Sequence, residues 1–308
     1  MKTAFSAFIY GNYEKYIPYY VYTINKTYPK VDIVLFYLEE LSLDIKSFLK
    51  PFKNVIVYEN FYTEKVDLIK HYKIKGGGNK TLLRFLIPGY FFEDYDSVYF
   101  GDVDILILKE KIDLFDFHKN QAVVSSLPFS NKVRTLFNSK KPSKRLTGLH
   151  FVLVKAYFNK IDPLIESFFK VKSYRDNIMK EITRDEELLY TLNKEAFDFD
   201  RERLIRNKRP WHGFHLGLVR GKDYLNTQTI VENSSISIDN LKEQLSELNR
   251  RGTIDRMLLK YECIEVYHTY KYLNLKLGSR VKLKYLFSGI VKILFNKLRK
   301  LKTKLENA

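Results

Sequence analysis

The chain has 308 residues, of which 45% are hydrophobic, so it is long enough for one large α/β domain with an appendage or for two domains. Its single cysteine, Cys263, excludes an internal disulfide and a zinc site built from cysteines. The net charge of +17 predicts attraction to polyanions or anionic membranes, and no stretch reaches the roughly 18 to 20 apolar residues of a membrane-spanning helix.

Up to Tyr58 the chain alternates short apolar runs with helix-like segments. The pattern predicts strands at Phe5 to Tyr10, Val31 to Leu38 and Asn54 to Tyr58, and helices at Ile17 to Thr27 and Leu41 to Leu49. This order is typical of a parallel, doubly wound sheet, which binds nucleotides beyond the carboxyl ends of its strands. The residues at the first such end are therefore candidate nucleoside contacts: Tyr10, Gly11 and Asn12. No Gly-x-Gly-x-x-Gly or P-loop pattern occurs there, which argues against a dinucleotide enzyme or an ordinary NTPase.

Two aspartates follow directly on a second buried apolar run. Ser97 to Phe100 predicts a strand, Gly101 ends it, and Asp102 and Asp104 precede a further apolar run. Two carboxylates in apolar surroundings need a cation, and a hard divalent ion is the usual one. A solvated turn at the strand end is the alternative, but the glycine and the apolar flanks favour a metal site. Mn²⁺ or Mg²⁺ at this position would be well placed to bind a phosphate.

The remaining elements follow from periodicity and turn residues. A helix carrying Arg84 is predicted before the metal motif, and His150 is expected to be packed rather than catalytic. The predicted elements are a helix from Lys80 to Ile87, a strand from Ala122 to Ser126, an irregular stretch from Ser130 to Arg145, a strand from Leu146 to Val154, helices from Asp162 to Val171 and from Arg184 to Leu192, and a charged helical region from Ser234 to Leu259.

Five short motifs, in this order, resemble those of retaining glycosyltransferases of family 8. The resemblance covers roughly Phe5 to Arg220. The motifs are Thr81-Leu-Leu-Arg84-Phe-Leu-Ile-Pro88 before the strand, Asp102-Val103-Asp104, the pair Thr147-Gly148, the Asp185-Glu-Glu-Leu-Leu segment, and His215-Leu-Gly217-Leu-Val-Arg220. Three of them depart from the family. Thr147 stands where the family more often has Asn or Ser, Glu186 and Glu187 do not match cleanly, and the His-to-Gly spacing is one residue short with Arg in place of Lys.

The resemblance implies a GT-A fold, a Rossmann-like mixed sheet flanked by helices, with a helical basic C-terminal appendage. It implies a catalytic domain at 1–225 and a helical region at 226–308. The implied reaction moves a hexose from a nucleotide-diphosphate sugar, a UDP-sugar in the family, to a glycan or lipid-linked acceptor with retention of configuration.

The resemblance also implies a role for each matched residue. Asp102, Asp104 and His215, or else His212, would hold Mn²⁺ or Mg²⁺. Arg84 and Asp185 would be catalytic, Asp185 by binding hydroxyls of the transferred sugar. The donor would contact Tyr10, Gly11, Asn12, Arg84, Asp102, Val103, Thr147, Gly148, Gly217 and Arg220.

Two other function classes stay open at this point. A nucleotidyltransferase acting on a sugar phosphate also pairs carboxylates around a metal and a triphosphate, although its usual glycine-rich N-terminal loop is absent. A non-catalytic basic adaptor would bind membranes or nucleic acid through the C-terminal tail.

Ten of the basic residues and no acids lie between Lys276 and Lys304. Leucines and isoleucines recur there at helical spacing, which predicts a basic amphipathic helix at about 279–305. Such a helix suits an anionic membrane surface, and packing on its own domain is nearly as well supported. Nucleic acid is disfavoured because no recognition module accompanies the charge. The N-terminus lacks the apolar length of a signal peptide, so we expect a cytoplasmic protein, peripheral at the inner face of the membrane.

Overall fold

The computed structural model describes residues 2–75, 78–135, 142–200, 204, 213–219 and 236–288. By its internal contacts the chain divides into two units, Met1–His212 and Gly213–Ala308. The predicted division after residue 225 falls outside the described residues and stays a prediction. None of the helices in the described ranges has the length and apolar content needed to cross a bilayer.

The strands of the first unit are β1 (Thr3–Ile9), β2 (Asp32–Tyr37), β3 (Val55–Tyr58), β4 (Ser97–Phe100), β5 (Ile105–Leu106), β6 (Phe129–Ser130), β7 (Val133–Thr135), β8 (Pro142–Leu146) and β9 (His150–Leu153). The central sheet has the order β3-β2-β1-β4-β9-β6. β1 is parallel to β2 and β4, β2 is parallel to β3, and β9 is antiparallel to β4 and β6. The predicted α/β class with a mixed sheet is confirmed.

Within the described ranges, the first unit has helices α1 (Ile17–Thr27), α2 (Leu43–Leu49), α3 (Val66–Ile69), α4 (Leu114–Ser125), α5 (Val154–Lys170), α6 (Lys172–Glu181) and α7 (Asp185–Phe197), with 3-10 helices at Gly11–Tyr16, Thr63–Lys65, Asn79–Phe85 and Gly89–Phe92. They flank the sheet, and apolar side chains of α3, α5, α6 and α7 form one buried cluster with residues of its strands. Val98 of β4 and Val152 of β9, for example, belong to the same buried cluster as Ile165 of α5 and Leu189 of α7.

The second unit contains β10 (Phe214–His215), a 3-10 helix at Leu216–Val219, α8 (Ile238–Leu248), a 3-10 turn at Arg250–Gly252, α9 (Thr253–Lys260) and α10 (Ile264–Tyr272). Residues 279–288 are also helical. Leu241, Leu245 and Leu248 recur at helical spacing and are all buried. The predicted amphipathic tail beyond residue 288 lies outside the described residues.

The order of the strands creates a switch point between β1 and β4. The chain runs outward from β1 through β2 to β3 on one side, and then crosses over to place β4 on the other side of β1. The carboxyl ends of these parallel strands lie at one edge of the sheet, with Ile9 paired to Tyr37 and Ser6 paired to Phe100. Ligands of open α/β sheets bind in the crevice at such a point. Both Gly11 and Asp102 follow strands that end there.

The predicted strand from Ala122 to Ser126 is wrong, because this segment is the last turn of α4. Asp113 caps the start of that helix by accepting hydrogen bonds from the N–H groups of Phe115 and Asp116. Val123 and Val124, which suggested a strand, lie exposed on the helix surface. Two valines in sequence favour β structure only when both can be packed, and here neither is.

Other boundaries also differ from the predictions. The helix carrying Arg84 is a 3-10 helix, which fits the short span before Pro88, since proline disfavours the α conformation of the residue before it. The stretch predicted as irregular from Ser130 to Arg145 contains β7 and β8, which form a hairpin. α5 begins at Val154, well before its predicted start at Asp162, so Pro163 lies inside the helix and not in its first turn.

Candidate functional site

A single guanidinium connects two of the predicted site carboxylates. Arg84 Nη1 lies 2.6 Å from Asp102 Oδ1, and Arg84 Nη2 lies 2.7 Å from Asp185 Oδ2. Burial disfavours the charged guanidinium, but the neighbouring carboxylates outweigh that effect and raise the pKa of Arg84 above its ordinary value. The 3-10 helix, the loop after β4 and the first turn of α7 therefore meet at this side chain.

Gly148 leaves the space in which the Arg84 guanidinium lies. A Cβ atom at position 148 would stand 2.6 Å from Arg84 Nη2 and 2.9 Å from Nη1, closer than real side-chain contacts. The guanidinium carbon of Arg84 also lies over the ring of Phe85, 4.5 Å from the ring centroid. Glycine at 148 is thus explained by close packing against Arg84.

The residues before Gly148 are fixed by hydrogen bonds. Both the backbone N–H and the hydroxyl of Thr147 donate to Asn131 Oδ1, at 3.1 and 2.7 Å. The amide of Asn131 also lies 2.8 Å from Nδ1 of His150. His150 is buried among aromatic rings, including those of Phe129 and Tyr157, in agreement with its predicted packing role.

One group of side chains in the described ranges could hold a metal ion. Asp102 and Asp104 each offer a carboxylate oxygen to a metal ion, and His215 is the third ligand that the family resemblance implies. Asp104 is only 2% exposed, and a carboxylate buried to that degree needs a cation or hydrogen bonds to offset its desolvation. Two carboxylates and an imidazole are suitable ligands for Mn²⁺ or Mg²⁺. Val103, between the two aspartates, is buried.

The three acids at the start of α7 do different work. Asp185 pairs with Arg84, as described above. Glu187 caps the helix, because its Oε2 accepts hydrogen bonds from the backbone N–H groups of Thr183 and Arg184, at 2.5 and 3.0 Å. Glu186 is 8% exposed and pairs with Arg134 of the β7-β8 hairpin at 2.5 Å. Of the three, Asp185 alone joins the Arg84 cluster through an ion pair.

The turn after β1 lies next to the same cluster. Gly11 has a φ of +54°, a left-handed conformation that glycine adopts without strain. Burial raises the pKa of Tyr10 to about 12. The nearby groups of Tyr13, Asp185 and Asp102 add to this increase, whereas the positive charge of Arg84 opposes it. Tyr10 is therefore a neutral phenol at physiological pH, beside the charged groups of the site. Asn12 lies in the 3-10 helix that follows.

Of the predicted C-terminal site residues, Gly217 and His215 are described, whereas His212 and Arg220 lie outside the described residues. A Cβ at position 217 would stand 2.7 Å from His215 Cε1, so glycine there leaves room for the imidazole ring. Whether His212 or His215 is the metal ligand stays a prediction.

Sequence reasoning did not select Glu39, Lys80 or Asn131 as site residues. Glu39 follows β2 at the same edge of the sheet as Gly11, so its position after a strand was a signal that could have found it. Asn131 follows the very short β6, which carries no periodic signal. Lys80 is close to Glu39 only through the tertiary fold.

No protein-family model matches the sequence, and comparison with curated proteins finds no similar one. The structure resembles the galactosyltransferase LgtC, solved with donor and acceptor sugar analogues, at 15% identity and a TM-score of 0.43, over 62% of this chain and 70% of that one. It also resembles the glycosyltransferase GlyE of Streptococcus pneumoniae, at 14% identity and a TM-score of 0.39, over 64% of this chain and 44% of that one. A cytidylyltransferase of Leptospira borgpetersenii matches at 11% identity and a TM-score of 0.30, over 60% of this chain and 74% of that one.

Proposed function

We propose that the protein is a metal-dependent glycosyltransferase that moves a hexose from a nucleoside-diphosphate sugar, a UDP-sugar by family resemblance, to a glycan or lipid-linked acceptor. The observation that carries the proposal is the excess of negative charge beside the switch point of the sheet. Asp102, Asp104 and Asp185 are carboxylates of this region, and Arg84 pairs with two of them. A site with such an imbalance suits a divalent cation and the diphosphate that the cation would accompany.

Asp102 and Asp104 would hold Mn²⁺ or Mg²⁺ together with His215, or with His212 in its place. When bound, the ion offsets the negative charge that develops on the diphosphate leaving group. The Asp102–Arg84 contact uses Oδ1, and a carboxylate has a second oxygen for another ligand.

Arg84 would stabilise the diphosphate from its fixed position between two acids. Its guanidinium is held by Asp102 and Asp185 and by the packing of Gly148, so little side-chain freedom remains to be lost when the donor binds. Asp185 would accept hydrogen bonds from hydroxyls of the transferred sugar and so orient its anomeric carbon. Val103, Thr147, Gly148, Gly217 and Arg220 would complete the donor contacts, and the family resemblance is the support for retention.

A screen of nucleotide sugars by thermal shift, each with and without Mn²⁺, tests the proposal. Ligands that bind only the folded state raise the apparent stability by mass action. We expect a metal-dependent rise in Tm with at least one nucleotide sugar and release of a nucleoside diphosphate on turnover. Release of pyrophosphate from a nucleoside triphosphate and a sugar phosphate would instead identify a nucleotidyltransferase.

We also propose that the helix at 279–288 contacts an anionic membrane, which would place the enzyme at the inner, cytoplasmic face near a lipid-linked acceptor. Leu283, Leu286 and Phe287 are exposed at positions i, i+3 and i+4, on the face opposite the buried Val281 and Tyr285. Arg280, Lys282 and Lys284 flank the exposed apolar stripe, an arrangement that favours binding to anionic lipids.

Vesicle sedimentation tests the membrane contact. Because Val281 and Tyr285 are buried, removing this helix would also disturb the second unit, so the test uses Leu283→Asp with Phe287→Asp. We expect the double variant to lose binding to vesicles of phosphatidylcholine with phosphatidylglycerol. Leu43→Asp, at an exposed leucine of α2, is the matched control. Unchanged binding of the double variant would remove the membrane role.

A further inference from the structure

Glu39 lies at the carboxyl end of β2, beside the turn that follows β1. Its Oε2 accepts a hydrogen bond from the backbone N–H of Gly11, at 3.0 Å. Its Oε1 lies 3.3 Å from Nζ of Lys80. The side chain is 39% exposed, so the carboxylate is held in place and still reaches solvent.

The two contacts of Glu39 join separate parts of the site. Gly11 belongs to the turn next to Tyr10, and Lys80 lies on the 3-10 helix that carries Arg84. Each carboxylate oxygen has two acceptor positions, so one contact apiece leaves capacity for a further hydrogen-bond donor.

The distance along the sheet edge fits a nucleotide. β2, β1 and β4 are adjacent and parallel, so the ends of β2 and β4 are separated by two strand spacings, roughly 10 Å. The diphosphate proposed above would lie at the end of β4, by Asp102. The nucleoside attached to it would then extend along the edge toward the ends of β1 and β2.

We infer that Glu39 binds a ribose hydroxyl of the donor, which makes the enzyme selective for ribonucleotides. This inference rests on the proposed function, because it needs a nucleoside diphosphate at the edge of the sheet. A carboxylate accepts hydrogen bonds from hydroxyl groups, and the 2′ and 3′ hydroxyls are the donors that ribose presents. In dinucleotide-binding sheets that share the strand order 3-2-1-4, an acidic side chain makes this contact.

Glu39 could instead serve only to fix the Gly11 turn. The two roles predict different selectivity between a ribonucleotide and its deoxy forms. An anchor of the turn would affect every nucleotide equally, whereas a ribose ligand would distinguish a nucleotide from its deoxy form. A hydroxyl bound to a charged partner is expected to contribute about 10- to 100-fold in affinity.

Calorimetric titration with Mn²⁺ and ADP, CDP, GDP or UDP first identifies the diphosphate that binds most tightly. Its Kd is then compared with those of its 2′-deoxy and 3′-deoxy forms, for the wild type, Glu39→Gln and Glu40→Gln. Glutamine at 39 keeps an acceptor oxygen for the Gly11 N–H. Glu40 is the neighbouring glutamate, is well exposed and pairs with Lys46, so it is a matched control.

We expect the wild type and Glu40→Gln to prefer the ribonucleotide over one of its deoxy forms by about 10- to 100-fold. In Glu39→Gln we expect this preference, the ratio of the two Kd values, to fall by about tenfold. Equal weakening of ribo and deoxy forms in Glu39→Gln, or no preference in the wild type, would overturn the inference and leave the proposed function standing. Failure of all four diphosphates to bind would overturn both.

Discussion

Asp185 and Glu186 are neighbours on α7, yet they belong to charge clusters of opposite balance. Asp185 shares the guanidinium of Arg84 with Asp102, and acids outnumber arginines there. Glu186 pairs with Arg134 at 2.5 Å and has Arg145 3.9 Å away, so arginines outnumber acids there.

The difference separates a candidate ligand site from a structural ion pair. The acid-rich cluster retains negative charge that a metal ion can neutralise. In the cluster around Glu186 the charge of the acid is already matched, and its arginines hold the β7-β8 hairpin against α7. Charge balance thus distinguishes two adjacent acids that look alike in the sequence.

Asp162 of α5 is a third case, a half-buried acid with no cationic partner among the described ion pairs. It accepts a hydrogen bond from the backbone N–H of Gly89, at 2.9 Å. Burial raises its pKa, the Gly89 bond opposes the shift, and Glu93 adds to it. Its contribution to stability should therefore depend on pH.

The largest effect is expected from Asp104→Asn in the acid-rich cluster. The variant keeps the side-chain shape but removes a charge from the proposed metal site, so transfer should fall by about 10³-fold or more with the fold intact. Release of nucleoside diphosphate measures the activity, and circular dichroism checks the fold. Asp116→Asn, at an exposed aspartate of α4, should retain activity. Full activity of Asp104→Asn in the presence of a chelator would refute the metal site.

The second effect tests the link between Arg84 and Asp102. Arg84→Met should weaken binding of the nucleoside-diphosphate sugar by about 100-fold, because a charge-assisted contact is lost. It should also tighten Mn²⁺ binding by roughly tenfold, because a cation next to Asp102 is removed. Titrations with Mn²⁺ alone and with the donor measure the two changes separately.

Two further variants sharpen this test. Gly148→Ala should shift both affinities in the same directions by displacing the guanidinium, which is the flexible partner in the clash. Arg145→Met, in the cluster around Glu186, should leave Mn²⁺ affinity unchanged. A fall in Mn²⁺ affinity on removal of Arg84 would show that the guanidinium supports the metal site and does not compete with it.

The third prediction concerns the arginine-rich cluster around Glu186 and its contribution to the free energy of unfolding. Glu186→Gln leaves Arg134 and Arg145 without their acid, and Glu186 is nearly buried, so unfolding should become easier by about 1 to 2 kcal/mol. The expected loss of stability is smaller than for a fully buried ion pair because the Arg134 side chain is 47% exposed. Urea denaturation measures the change. A loss of Mn²⁺ affinity in this variant would show that the two clusters are not independent.

The smallest effect concerns Asp162→Asn. Asparagine can accept the same hydrogen bond from Gly89 without a charge. Below the ordinary pKa of an aspartate the carboxyl is protonated in both the folded and the unfolded wild type, so its ionisation has no effect on stability. As pH rises from that value to the raised pKa of the folded state, the unfolded carboxyl ionises first and the wild type loses stability relative to the variant; above the raised pKa the loss is complete. At pH 7 the free energy of unfolding of the variant should exceed that of the wild type by less than about 1 kcal/mol. Urea denaturation at several pH values measures this difference. A wild type that becomes more stable than the variant as pH rises would contradict the prediction.

The sequence alone determined the three strands and two helices of the chain up to Tyr58. Helix α1 was predicted with its observed bounds, and β4 likewise, because their apolar patterns are strong and clear turn residues end them. It also determined that Asp102 and Asp104 follow a buried strand, where acids need a partner. Periodicity failed at α4, where Val123 and Val124 favoured a strand locally but lie on an exposed helix surface.

Only the tertiary structure decided which charges are neighbours. Arg84, Asp102 and Asp185 are far apart in the sequence, and the fold of the strands and α7 brings them within ion-pair distance. Whether a carboxylate has one cation, two or none depends on side chains from distant segments. Electrostatic energies fall off with distance in space, so the sequence could indicate the acids but could not assign their roles.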